Sequence, residues 1–105
     1  MTHQENILQR IKEIILQSDS AAKIYLYGSR ARGTAESYAD WDILVLLNRD
    51  KITFEVERNV TYPLYDLEFE IGEVISPVVY SENDWNSKHS ITPFYFNVMR
   101  DGKLL

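Results

Sequence analysis

The sequence predicts an α/β domain, and three observations carry that prediction. Near the N-terminus, Ile7, Leu8, Ile11, Ile14 and Ile15 recur at helical spacing. Two runs, Lys23–Tyr27 and Ile43–Leu47, are apolar almost throughout, as strands covered on both faces are. The 105 residues suit one domain, residues 1–105, with a single modest core.

Each element follows from local chemistry. The first apolar stripe predicts a helix over about residues 4–18, ended by Ser18-Asp19-Ser20. Strands follow at Lys23–Tyr27 and Asp40–Leu47, with a short helical turn and loop over 30–39 between them. Asn48-Arg49-Asp50-Lys51 reads as a turn. Val56, Val60, Leu64, Leu67 and Ile71 fall at helical spacing, although Leu67–Ile71 alternates like a strand. Length favours helix, with Pro63 expected to kink or split it and Gly72 to end it. Glu73–Tyr80 is a third strand, and Pro77 points to the sheet edge. Ser81 should cap a short helix through Asp84, Trp85 and His89. Thr92-Pro93 opens a last helix that ends near Asp101, with Gly102 just beyond.

Composition narrows the function. There are no cysteines, which excludes disulfides and thiolate zinc sites and suits a reducing, cytoplasmic setting. No stretch reaches the roughly 18 apolar residues of a membrane span, and Met1–Asn6 has no signal-peptide character. The net charge of −5 argues against direct nucleic-acid binding, which needs a basic face.

The chemistry concentrates between Gly28 and Leu47. Gly28-Ser29-Arg30-Ala31-Arg32-Gly33 follows the first strand, and Asp40-Trp41-Asp42 opens the second. Residues two apart in a strand share a side, so Asp40 and Asp42 project together, roughly 6–7 Å apart at the backbone. Trp41 points the other way, into the core. Two like charges so placed are costly unless a cation lies between them, and Mg2+ is the hard ion that carboxylates and phosphates share. Gly28 permits a sharp turn and close approach of a phosphate, and Ser29 adds a hydroxyl. The other reading is an ordinary turn and two solvated acids at a strand start.

At these residues the chain resembles the minimal members of the polymerase β-type nucleotidyltransferase superfamily. The match rests on Gly28, Ser29, Ala31, Arg32, Gly33, Asp40 and Asp42. The family often has a serine directly before the first aspartate; here Ala39 stands there. The resemblance implies a palm fold, a mixed sheet flanked by helices. It implies transfer of a nucleoside monophosphate, AMP, from a nucleoside triphosphate to an acceptor hydroxyl, with one or two Mg2+ ions on Asp40 and Asp42. Gly28, Ser29, Arg30 and Arg32 would face the nucleotide, although Arg32 could equally brace the turn and Arg30 is expected to be exposed. Relatives carry a third acid on the next strand. There the only acid is Glu73, at the strand start, and Ser76 occupies the place where the family aspartate would stand. Glu73 is therefore the candidate third catalytic carboxylate, while Asp66, Glu68 and Glu70 read as a solvated face. Larger relatives add a second domain, and its absence implies for this chain a homodimer or a separate partner subunit; minimal relatives often pair with a HEPN-type helical protein in toxin–antitoxin modules, and some adenylylate a tyrosine of that partner. The alternative is a non-catalytic subunit of the same fold that neutralises a partner by contact. Tyr62, Tyr65, Trp85, Phe94, Tyr95 and Phe96 read as core or partner interface before base stacking.

Overall fold

The chain forms a four-stranded mixed sheet with helices on both faces, in a computed structural model that describes all 105 residues. The order along the chain is α1 (His3–Ser18), β1 (Lys23–Tyr27), α2 (Ser29–Arg32), β2 (Trp41–Leu47), α3 (Phe54–Ile71), β3 (Ile75–Ser81), α4 (Glu82–Asn86), α5 (Pro93–Asp101) and β4 (Lys103–Leu104). Four helices are opened by hydroxyl caps: Thr2, Thr53, Ser81 and Thr92 each accept an N–H bond from three residues on. The Ser81 helix stops at Asn86, so His89 lies beyond it, stacked on the Tyr80 ring instead.

The sheet order is β3-β2-β1-β4. β1 pairs antiparallel with β2, which pairs parallel with β3. The edge position of β3 agrees with Pro77. β4, absent from the sequence reading, pairs with β1 over two residues. A two-residue strand has no period to read, so only its pairing reveals it.

Alternation along the strands builds two cores. Ile24, Leu26, Trp41, Ile43, Val45, Leu47, Ile75 and Val79 meet α1 and α3 on one face. Leu44 and Leu46, with Tyr25, Tyr27, Val78 and Tyr80, meet Trp85, Val98, Phe94 and Tyr95 on the other. No helix is long and apolar enough to cross a membrane.

Contrary to expectation, α3 runs through Pro63 without a break. Proline removes the bond to the carbonyl four residues back, here Asn59. The Ser18 hydroxyl, at the end of α1, donates to that carbonyl at 2.9 Å. A neighbouring helix thus satisfies the group that Pro63 strands, and a local rule gives way to tertiary packing.

Candidate active site

β2 delivers its residues to opposite faces, and its first turn of alternation makes the site. Asp42 lies on the face of Leu44 and Leu46, at the strand's N-terminal end. Its register partners are Tyr27 on β1 and Ser76 on β3. Asp40, just before the strand, accepts a hydrogen bond from the Ser76 hydroxyl at 3.2 Å. One serine therefore ties the two aspartates to the same patch of sheet end.

Gly28 closes the patch from the β1 side. Its φ is +75°, and a methyl group there would lie 2.3 Å from Asp42 Oδ2. Only glycine lets the bend after β1 sit against that carboxylate. Ser29 follows directly and opens α2. The expected convergence of the Gly-Ser bend with the two acids is what the fold builds.

The electrostatics fit a cation. Burial pushes the Asp42 carboxyl above the usual range, the Asp40 charge pushes it further, and Arg32 pulls partly back. An acid held up by burial and by its neighbour is a pair short of positive charge. Burial, with the charges of Asp42 and Tyr80, holds the Tyr27 phenol up at about 12, so it remains a neutral hydroxyl beside the acids. Two carboxylates suit a hard ion that keeps water and phosphate oxygens in its shell. No cluster of three or more His, Cys, Asp or Glu forms anywhere in the chain. The site is an open surface at the sheet end; the one cavity, about 260 Å3, lies elsewhere, between Met1, Leu8 and Leu105.

Two expected site residues go elsewhere. Arg30 is buried, not exposed. Its guanidinium donates to the Ala39 carbonyl at 2.8 Å and to that of Ser37 at 3.3 Å, and sits 4.0 Å over the Trp41 ring. Glu73 accepts from Trp41 Nε1 at 3.2 Å, lies 3.5 Å from Arg30, and meets His3 Nε2 at 2.9 Å. Both therefore stand on the Trp41 side of β2, away from Asp40 and Asp42. In this geometry the Glu73 carboxylate is gathered with Arg30, Trp41 and His3, and the Arg30 guanidinium with the Ser37 and Ala39 carbonyls. Ser76, where the resemblance puts the family's third acid, is the register partner of Asp42 and bonds Asp40. Glu68, expected on a solvated face, accepts the Ile75 N–H at 2.7 Å and fastens the turn into β3.

Tyr27 is the site residue that the sequence reading missed. Its place opposite Asp42 depends on the β1–β2 register, which 13 intervening residues of turn and loop conceal.

Known proteins resemble this chain in sequence and in fold. The profile of a nucleotidyltransferase domain family matches residues 8–89. A protein of Methanocaldococcus jannaschii, provisionally named a protein adenylyltransferase, is 30% identical over 96% of this chain and 73% of its own. A toxin–antitoxin structure solved with AMP-PNP superposes with a TM-score of 0.62 at 20% identity, over 91% of this chain and 69% of that one. A chain described provisionally as a minimal nucleotidyltransferase gives 0.61 at 21% identity, over 96% of this chain and 94% of its own.

Proposed function

The chain belongs to the nucleotidyltransferase domain family, and from that premise we propose that it moves AMP from ATP to an acceptor hydroxyl in a Mg2+-dependent reaction, the acceptor oxygen bonding the α-phosphorus as the α–β phosphoanhydride bond breaks, with pyrophosphate leaving and the hydroxyl proton passing to water. The acceptor in this reading is a tyrosine of a HEPN-type helical partner, which the chain restrains as an antitoxin in the cytoplasm. The observation that carries the proposal is the meeting of Asp40, Asp42 and Ser76 against the Gly28 bend.

Asp40 and Asp42 would hold the ion, which when bound neutralises phosphate charge and acidifies a coordinated hydroxyl. The rest falls to the chain. Gly28 lets the bend sit against the Asp42 carboxylate, and Ser29 offers a hydroxyl donor beside it. Arg32, exposed but close enough to lower the Asp42 pKa, supplies positive charge at the mouth of the site. The neutral Tyr27 phenol is positioned as a donor, not a base. Ser76 cannot take a proton at neutral pH. An acceptor that ionises readily, such as a phenol with a pKa of about 10, suits such a site better than an alkyl alcohol. That chemistry supports tyrosine as acceptor.

The same serine favours a second reading, a subunit of weakened activity that neutralises its partner, a HEPN-type protein or a second copy, by binding alone. Labelled ATP, Mg2+ and a candidate HEPN partner separate the two. Label on a partner tyrosine, lost in Asp40→Asn, supports transfer. No label, with partner binding unchanged in Asp40→Asn and Asp42→Asn, supports contact alone.

A further inference from the structure

Helix α3 carries two apolar faces, and the fold uses one. The inner face, Val60, Leu64, Leu67 and Ile71, has four-three-four spacing and packs against the sheet and α1. The outer face repeats that spacing at Arg58, Tyr62, Tyr65 and Phe69, with Phe54 one turn before. At 100° per residue this row lies on the opposite side of the helix. Nothing in the fold covers it. Phe54 is 72% exposed, Tyr62 53%, Tyr65 44% and Phe69 92%. Arg58 lies over both Phe54 and Tyr62, at 5.6 and 6.0 Å, which gives the row a continuous top.

The borders are acidic. α3 holds Glu55, Glu57, Asp66, Glu68 and Glu70 against the single Arg58, a net charge of −4 within a chain of −5. Glu70 is paired with Arg10, and Glu68 with the Ile75 N–H. Glu55, Glu57 and Asp66 form no ion pair or side-chain hydrogen bond and flank the row on both sides.

We propose that the outer face of α3 is a docking ridge for an amphipathic helix of a partner protein whose apolar stripe is bordered by lysine or arginine. Heptad-like spacing is what a second helix reads, knob by knob, at a shallow crossing angle. The row is about 22 Å long, close to the length of an ordinary helix. The four rings expose roughly 500 Å2, near the largest apolar patch of a typical monomer. A stable interface needs about 800 Å2 per partner, so the acid borders must be engaged as well, and cations engage them. A second copy would set carboxylates against carboxylates. The ridge lies on the sheet face opposite Asp42, so the proposal stands or falls apart from nucleotide transfer.

The test uses two helical peptides of about 18 residues, one of leucine and lysine and one of leucine and glutamate, long enough to hold a helix. Calorimetry and aromatic-ring NMR on the full chain should show the lysine peptide bound, with the Tyr62, Tyr65 and Phe69 rings shifted. Phe69→Asp, at a position too exposed to unfold the chain, should weaken binding at least about tenfold. Asp66→Lys should weaken it too, and Asp42→Asn should leave it unchanged. The idea is overturned if both peptides bind alike, if the shifts fall elsewhere, or if Phe69→Asp binds as well as the parent. A concentration-dependent dimer that Phe69→Asp dissolves would also overturn it, by making a second copy the occupant.

Discussion

Asp42 and Glu73 are acids at the same end of the same sheet, in opposite situations. Glu73 is saturated: the Trp41 indole, the Arg30 guanidinium and the His3 ring all converge on its carboxylate. Asp42 is paired with no cation and has another acid for a neighbour. Trp41, between the two aspartates, sends its side chain to the Glu73 side while Asp40 and Asp42 share the other. The side where charges cancel fastens the 30–39 loop to the strands. The side where they do not carries the two neighbouring aspartates. Unbalanced charge, more than the number of acids, distinguishes a site from a brace.

The largest break in this contrast should come from removing charge at the unbalanced side. Asp40→Asn and Asp42→Asn should each lower nucleotidyl transfer at least ~10²-fold, as misplacement of reacting groups does, with the fold intact by circular dichroism. On the balanced side the effect should be on stability. Arg30→Ala removes one of the three partners of the Glu73 carboxylate, leaves the Ala39 carbonyl without its donor and should cost roughly 2–4 kcal/mol in urea unfolding. Glu73→Gln, which keeps an acceptor for Trp41 Nε1, should cost less than Arg30→Ala and leave transfer near the parent level. Loss of transfer in Glu73→Gln comparable to that in Asp40→Asn would restore Glu73 to the catalytic set. Gly28→Ala acts across the boundary. It should cost about 1–3 kcal/mol for a side chain at positive φ and displace Asp42, so transfer and stability fall together.

The smallest effect has the most informative sign. The folded state holds the Asp42 pKa above its unfolded value. Its contribution to stability is thus full below the ordinary aspartate pKa and is lost as pH rises through the folded value. Asp42→Asn, with EDTA present, should therefore raise the melting temperature at pH 7 and lose that advantage near pH 3. The gain should stay under about 1 kcal/mol, because the carboxylate is only partly buried and water screens it. A lower melting temperature at pH 7 would mean that Asp42 is balanced after all.

The helices and the three long strands were readable because each obeys one short-range rule. The Ile7–Ile15 stripe, the hydroxyl caps and the apolar runs all act within a few residues. The pairing of Asp40 with Asp42 was readable too, since alternation in a strand needs no tertiary information. The direction of Glu73 and the burial of Arg30 were not. Both depend on which side of Trp41 the 30–39 loop crosses, and no local period encodes that. Of the aromatic residues, Trp85, Phe94 and Tyr95 joined the second core while Tyr62, Tyr65 and Phe96 remained outside. Composition was silent on that division.

By itself the sequence determined the bend, the acid pair and the helical and strand periods, because those follow from the backbone's own repeat over a few residues. Only the tertiary structure decided that the Ser76 hydroxyl bonds Asp40, that Tyr27 lies opposite Asp42, that Ser18 rescues the carbonyl freed by Pro63, and that Glu73 braces the loop. Each of these is a contact between segments distant in sequence, and its partner is fixed by strand register and helix packing.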